Sequence, residues 1–300
     1  MDEKAVMKEL PAIRKLVYGN LMETYLPFPV DMKASSRWAV EADVPRNTDT
    51  IIFTSHMYQM GSIFKNYEKY IPLFTKLGGS KMIASVGSRL IKTDKSEAER
   101  STRILKNIYS MLLKSGIKCG YLYEDEPYSG SLLLELGFVD EFMEYGRKLL
   151  SLFKSRGVKN IYTVDPHTTN SLTNLKKMIG FDIKSTPYLN AISGTNGSGK
   201  FVLHDSCLYS RFLGMYDDVR LVAKNAGIEL LEDPDVTGKS TSFCCGGPIG
   251  PVNAEISSKV ASLRVKQLNT VSDTILVVCP LCYENLSEFG NVKDIAEVMA

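Results

Sequence analysis

Five cysteines lie close together in the last third of the chain, and their spacing is the strongest chemical signal in the sequence. The sixth, Cys119, stands apart in an apolar stretch; the five are Cys207, Cys244, Cys245, Cys279 and Cys282. In a reducing compartment such clustering favours metal ligation or redox chemistry over structural disulfides. Thiolate ligands select zinc, Cu(I) or an iron–sulfur cluster.

The number of cysteines favours an iron–sulfur cluster over a single ion. Structural zinc is tetrahedral and saturates at four ligands, so five cysteines would leave one without a metal. The side chains of the adjacent Cys244 and Cys245 tend to point apart, and a multi-iron cluster offers several atoms for them to reach. A zinc site (Zn²⁺) and a metal-free dithiol site both stay open as alternatives at this point.

Residues beside the cysteines can support such a site. Gly246 and Gly247 permit close backbone approach, and their N–H groups can hydrogen-bond to sulfur and so tune the reduction potential. His204 and Asp205 lie just before Cys207, where they are candidate catalytic residues that supply a proton or support the cluster. The alternative for these two residues is a hydrogen-bonded pair at the end of a strand.

The elements that must position these residues are strands that alternate with long helices. Apolar runs predict strands over residues 50–54, 81–87, 117–123, 160–164, 200–205, 227–232 and 273–278. Helical spacing predicts helices near residues 58–77, 97–115, 131–155, 170–179, 211–225 and 252–269. This alternation is typical of an α/β fold with mainly parallel sheets flanked by helices.

The cysteines follow three of the predicted strands. Cys207 comes soon after the strand over 200–205, and Cys279 comes directly after the strand over 273–278. The Cys244–Cys245 pair follows the region of the strand over 227–232. Open α/β sheets carry their ligand sites outside the carboxyl ends of strands, so we expect the five sulfurs to meet in one pocket.

An internal repeat predicts two tandem modules of related structure. The segment IYTVDPHTTNSL, which starts at Ile161, aligns with ILVVCPLCYENL, which starts at Ile275. The predicted parts are a helical segment over 1–49 that is broken at Pro11, an α/β module over 50–195, and a second α/β module over 196–300.

The first module has no cysteine where the second has its five. The aligned positions hold His56, Tyr128, Ser129, Asp165 and Thr168. A degenerate metal site of His56, Asp165 and the neighbouring His167 is one interpretation, because histidine and carboxylate bind zinc or iron. The favoured interpretation is a vestigial site filled by polar residues, which leaves one metal site in the chain.

The composition argues against several classes of protein. A net charge of +2 over 300 residues gives no sign of a nucleic-acid-binding surface. There is no run of 18 apolar residues, and the N-terminus has mixed charges without the apolar stretch of a signal peptide. We therefore expect a cytoplasmic protein without a direct membrane span, whose membrane association, if any, comes through a partner.

The cysteine pattern resembles the CCG domain of heterodisulfide reductase and of related iron–sulfur oxidoreductases. Three segments carry the resemblance: HDSCLYSR from His204, SFCCGGP from Ser242 and VCPLCYENL from Val278. Ser206 stands where that family usually has proline. The resemblance extends from about Trp38 to the C-terminus.

The resemblance implies a 4Fe–4S cluster of an unusual, non-cubane type, held by the five cysteines. It also implies an iron–sulfur subunit that transfers electrons or reduces a disulfide, with ferredoxin-like or flavoprotein partner subunits and a thiol or disulfide as candidate substrate. Relatives commonly carry cysteines in both modules, so the cysteine-free first module argues against a mechanism with two clusters. The alternative function is a zinc-binding structural or assembly subunit without turnover.

Overall fold

The computed structural model describes residues 3–61 and 95–299, with side chains described from residue 10 onward. It contains two sheets in which every strand pair is parallel. The first sheet has the order β1 (Thr50–Phe53), β2 (Asn160–Thr163) and β3 (Lys184–Pro187). The second sheet has the order β5 (Glu229–Leu231), β4 (Lys200–Leu203), β6 (Thr274–Val277) and β7 (Asn291–Asp294).

Helices flank both sheets, which confirms the predicted α/β class. In chain order they are α1 (Glu3–Thr24), α2 (Met32–Glu41), α3 (Lys95–Lys114), α4 (Ser131–Glu135), α5 (Val139–Ser155), α6 (Pro166–Ile179), α7 (Tyr216–Ala226), α8 (Ala254–Leu268), α9 (Pro280–Leu286) and α10 (Ile295–Val298). A π-helical turn, Leu208–Phe212, leads into α7.

The two sheets share one strand order. A parallel bridge joins Gly120 to Ile51 of β1, so the Gly120 segment lies beside β1 as β5 lies beside β4. On the other side follow β2 and β3 in the first sheet, and β6 and β7 in the second. This common order agrees with the internal repeat in the sequence.

The predicted strand over 117–123 is wrong except at its centre. Only Gly120 pairs with β1, and the chain then enters a 3₁₀ turn, Tyr123–Asp125. The ring of Tyr121 packs edge-on against Trp38 with 4.9 Å between centroids, and the Tyr123 hydroxyl donates to the carbonyl oxygen of Ala39. These aromatic residues attach α2 to the core. Their apolar run in the sequence is also typical of a strand, which explains the wrong prediction.

Two helix boundaries also differ from the prediction. The helix predicted over 131–155 is divided into α4 and α5, because Gly137 takes a left-handed φ of 80° just after α4. Pro11 lies inside α1 and does not break it. Its ring is on the exposed side of the helix, where a carbonyl that loses its N–H partner can bond to water.

Two strands were not predicted, and two predicted elements lie mostly or wholly outside the described residues. The strands β3 and β7 are missing from the predicted set, since they carry the polar sequences KSTP and NVKD. The strand predicted over 81–87, and all but the first residues of the helix predicted near 58–77, lie outside the described residues.

One apolar core joins the two sheets. Residues of α2 and α3 pack in it together with residues of β4, β6, α7 and α10. Polar contacts reinforce the junction: Arg100 pairs with Glu297 at 2.9 Å, and the Tyr58 hydroxyl donates to a carboxylate oxygen of Asp294 at 3.0 Å. The end of the first sheet is thereby fixed against the end of the second.

Candidate metal centre

Three segments of the second sheet bring the five cysteines to one edge. The central strands β4 and β6 are neighbours, with Leu203 opposite Leu276, so the chain leaves both at the same edge. Cys207 follows β4, and Cys279 is the residue before α9, which carries Cys282. The loop after β5 returns to this edge with Cys244 and Cys245. The convergence expected from the sequence is therefore present.

The five sulfurs form a continuous row. Neighbouring thiols shift one another's pKa in the order Cys207, Cys244, Cys245, Cys282 and Cys279. All five are reduced; Cys245, Cys279 and Cys282 are buried, whereas Cys207 and Cys244 are partly exposed. The neighbouring Cys207 and Cys245 lower the pKa of Cys244, and the same contacts raise the pKa of Cys207, Cys245 and Cys282. The row thus already stabilises a thiolate, the form that binds metal.

One tetrahedral ion cannot use all five sulfurs, because it takes four ligands. A tetrahedral zinc holds its ligand atoms at about 2.0–2.3 Å, so all of them must lie close to one another. Among the described residues, one group of such atoms lies within 4.8 Å of one another: a ring nitrogen of His204 with the sulfurs of Cys245 and Cys282. The other three sulfurs fall outside that group. A site that uses all five sulfurs needs several metal atoms, as a multi-iron cluster provides.

Two buried polar groups beside the sulfurs also suit a cluster. The Arg264 side chain is 1% exposed and interacts electrostatically with Cys282 and Cys245. Its Nη2 and the Nε2 of His204 have no hydrogen-bond partner among the described residues. A buried donor without a partner costs about 1–3 kcal/mol, and the sulfides of a cluster are the kind of acceptor that both lack.

The backbone of the Cys244–Cys245 loop donates to sulfur. The N–H of Gly246 points to the Cys244 sulfur at 3.4 Å, and the N–H of Gly247 points to the Cys245 sulfur at 3.4 Å. Gly246 has a φ of 88°, and a Cβ there would lie 2.8 Å from the carbonyl oxygen of Ser257 on α8. Only glycine satisfies both conditions, so this position fixes the loop against α8.

We expect Gly246→Ala to destabilise the protein more than Gly157→Ala. Both glycines have a positive φ, which strains alanine by about 1–3 kcal/mol, but a Cβ at Gly157 meets no atom within 4 Å. The difference between the two variants in urea-unfolding free energy therefore isolates the contact with Ser257. Equal losses of stability in both variants would contradict this account of the loop.

His204 is a neutral imidazole at the edge of the sulfur row. Burial, followed by the charge of Arg264, lowers the pKa of His204 to about 3. The Arg264 Nε donates to its Nδ1 at 3.3 Å, so the proton of the neutral ring is on Nε2. This state fits a supporting group beside the cysteines better than the predicted proton donor. A catalytic role for His204 stays a prediction.

Asp205 is occupied by an ion pair. Both carboxylate oxygens accept from Arg220 at 2.9 Å, and Arg220 also pairs with Glu232. The pair ties the end of β4 to α7 and is nearly buried on the aspartate side. This arrangement favours the strand-end interpretation, and a catalytic role for Asp205 also stays a prediction.

His167 lies beside the cysteines of the second module. The sequence analysis had assigned it to the degenerate or vestigial site of the first module. Its Nε2 lies 3.3 Å from the Cys279 sulfur, and its Nδ1 lies 2.6 Å from a carboxylate oxygen of Glu135. Burial opposes ionisation of Cys279, yet hydrogen bonds from Cys282 and His167 lower its pKa to about 5. The repeat alignment offered one signal, because it puts His167 next to the partner position of Cys279.

The other aligned polar residues of the first module are only partly satisfied, because Ser129 Oγ, Asp165 Oδ2 and Thr168 Oγ1 have no hydrogen-bond partner among the described residues. His56 accepts from the Ser35 hydroxyl at 2.7 Å and donates to the carbonyl oxygen of Glu126 at 2.8 Å. Asp165 caps α6 by accepting from the N–H of Thr168. Within residues 10–61 and 95–190 no group of three metal-ligating side chains comes together. The vestigial interpretation of this part of the chain stays a prediction.

Comparison with known proteins agrees with the geometry. Residues 201–287 match the CCG family, described as a cysteine-rich domain, and this segment contains all five cysteines. The resemblance drawn from the sequence is thereby confirmed for the second module.

No helix in the described residues has the length and apolar character to cross a membrane.

Three curated proteins are similar to a larger part of the chain. The probable iron–sulfur-binding oxidoreductase FadF of Bacillus subtilis (strain 168) is 26% identical over 209 residues, which are 65% of this chain and 29% of that protein. The EtfAB:quinone oxidoreductase of Syntrophomonas wolfei is 27% identical over 230 residues, which are 67% and 32%. A probable membrane-anchored ferredoxin of Chromohalobacter salexigens is 26% identical over 227 residues, which are 67% and 34%. The chain spans about a third of the length of these relatives.

Proposed function

We propose that this chain is the iron–sulfur part of an oxidoreductase and transfers electrons through one 4Fe–4S cluster of the non-cubane type. The ligands are Cys207, Cys244, Cys245, Cys279 and Cys282. The observation that carries the proposal is the row of five reduced sulfurs, which no single ion can use completely. The relatives named as an iron–sulfur-binding oxidoreductase and a ferredoxin support the same class of function.

The chain's own residues provide binding, burial and an exposed edge. When bound, a cluster of this kind takes up and releases one electron at a time. Three ligand sulfurs are buried, whereas Cys207 and Cys244 are partly exposed. Two exposed rings lie near these two cysteines in the sequence: Phe212, which is 67% exposed, follows Cys207, and Phe243, which is 41% exposed, precedes Cys244. This is the edge at which a ferredoxin-like or flavoprotein partner would approach the cluster.

The resemblance to heterodisulfide reductase adds a second use for the same site. Reduction of a bound disulfide consumes two electrons and two protons and releases two thiols. One relative is named for EtfAB and a quinone, which instead favours transfer of electrons between a donor and an acceptor. Because the described part of the first module holds no second set of cysteines, we favour electron transfer.

A zinc-binding scaffold is the competing function, and one observation favours it. The His204 ring nitrogen and the sulfurs of Cys245 and Cys282 are close enough to share one ion, as three ligands of a zinc site would be. That arrangement leaves Cys207, Cys244 and Cys279 without a metal.

Metal and sulfide analysis of anaerobically purified protein separates the two functions. We expect a brown protein that contains iron and labile sulfide in equal amounts, with at most traces of zinc. A colourless protein with one zinc per chain and no sulfide would support the scaffold. A protein without metal that forms a reversible disulfide would contradict both and support a dithiol site.

A further inference from the structure

We infer that His167, which comes from the cysteine-free first module, is a positioning residue that hydrogen-bonds to the Cys279 sulfur and raises the reduction potential of the cluster. This inference rests on the proposed function, since it concerns a ligand of that cluster. It gives the first module a direct part in the chemistry of the second.

The contact is built by the first turn of α6. Asp165 caps this helix and Pro166 is its first residue, which places His167 at the carboxyl end of the first sheet. The side chain of His167 is 3% exposed, and Cys279 is 1% exposed. A buried contact of 3.3 Å between Nε2 and sulfur therefore spans the junction of the two modules, shielded from water.

The partners of His167 fix where its protons are. A carboxylate only accepts hydrogen bonds, so the 2.6 Å contact with Glu135 puts a proton on Nδ1. When Cys279 is a metal ligand its sulfur is a thiolate and has no proton to give, so Nε2 must donate. Both ring nitrogens of His167 then donate, Nδ1 to Glu135 and Nε2 to the Cys279 sulfur.

A donor at this sulfur favours the reduced cluster. Reduction adds negative charge to the cluster and its ligands, and a hydrogen bond to a ligand sulfur stabilises the state with more negative charge. The effect is strong in a buried site, where the low dielectric strengthens the interaction of charges. Glu135 supports it by orienting the ring, in the way that carboxylates orient histidines around metal sites.

The test compares the midpoint potential of the anaerobically reconstituted wild type with that of three variants. His167→Phe keeps a ring but has no N–H group, His167→Gln keeps a side-chain N–H donor, and Glu135→Gln removes the carboxylate that orients the ring. Leu136→Ala is the matched control, because Leu136 lines the same cleft as Glu135 and His167. Iron and sulfide content is measured for each protein.

With iron and sulfide at the wild-type level, we expect the potential of His167→Phe to shift to more negative values. His167→Gln should lie between that variant and the wild type, Glu135→Gln should shift less than His167→Phe, and Leu136→Ala should not shift. If His167→Phe fails to assemble a cluster, the two glutamine variants decide. An unchanged potential in the loaded variants would overturn the inference and leave the cluster itself intact.

Nitrogen couplings distinguish a hydrogen bond from direct ligation. With ¹⁵N-labelled histidine, pulsed EPR of the reduced wild type should show only weak couplings, as from a donor one sulfur away from iron. A strong coupling that disappears in His167→Phe together with iron would identify His167 as a ligand and overturn the inference. Absence of iron and sulfide from the wild type would overturn the proposed function, and this inference with it.

Discussion

Cys282→Ala is expected to abolish cluster binding while the fold persists. Its sulfur lies in the interior of the row, between the sulfurs of Cys245 and Cys279, and the side chain is 2% exposed. Loss of a group that merely supports a ligand lowers metal affinity about 10–100-fold, so loss of the ligand should cost at least as much.

The control for this variant is Cys119→Ala. Cys119 is equally buried, and burial raises its pKa to about 12, but it packs in the apolar core and touches none of the five cysteines. Both substitutions remove one buried sulfur, so they create cavities of the same kind. We expect Cys119→Ala to keep iron and sulfide at the wild-type level, and Cys282→Ala to lose at least about nine-tenths of both. Equal retention by the two variants would contradict the ligand assignment.

Glu126→Gln is expected to stabilise the protein at neutral pH but hardly at acid pH. Glu126 is 2% exposed, and its Oε1 accepts from the backbone N–H groups of Thr54 and Ser55. Its Oε2 has no hydrogen-bond partner among the described residues. Burial raises the pKa of Glu126 from 4.5 to about 8, against the opposing effect of those hydrogen bonds.

The direction of the pH effect follows from the protons bound in each state. Between pH 4.5 and about 8 the folded protein holds a proton that the unfolded chain has released, so stability falls as the pH rises through this window. At 1.36 kcal/mol per pKa unit, the wild type loses about 3 kcal/mol by pH 7. Glutamine resembles the protonated side chain and does not ionise, so the variant avoids this loss.

Urea unfolding under anaerobic, reducing conditions at pH 5 and pH 7 measures the effect. We expect Glu126→Gln to be more stable than the wild type by about 3 kcal/mol at pH 7 and by less than about 1 kcal/mol at pH 5. Glu124→Gln is the control, because Glu124 is exposed and pairs with Arg46, which lowers its pKa. The same difference between Glu126→Gln and the wild type at both pH values would contradict a raised pKa of Glu126 in the folded protein.

The sequence predicts the central strands well because those strands carry the core. The runs that become β1, β2, β4 and β6 are apolar and mostly buried, and each lies inside its predicted range. The edge strands β3 and β7 have the polar sequences KSTP and NVKD, so they contain no apolar run that would predict a strand. The segment around Gly120 was wrongly predicted to be a strand, because its aromatic residues pack against α2.

The meeting of the five cysteines at one edge was predictable, because they follow the ends of strands in a parallel sheet. His167 was not, because its contact with Cys279 depends on how the two modules pack, and sequence spacing does not contain that information. The pairing of Asp205 with Arg220, 15 positions away, also depends on tertiary packing, and it turns a candidate catalytic carboxylate into part of an ion pair. The structure thus changes the interpretation of the groups around the sulfurs more than that of the sulfurs themselves.

Mössbauer spectroscopy of protein reconstituted anaerobically with ⁵⁷Fe and sulfide tests the central claim most directly, because it detects every iron atom and reports its ligands. The account predicts about four iron atoms per chain, all with sulfur ligands and coupled within a single cluster. The contradicting result is one isolated iron in a tetrahedral thiolate site, or no bound iron at all while the same protein retains zinc.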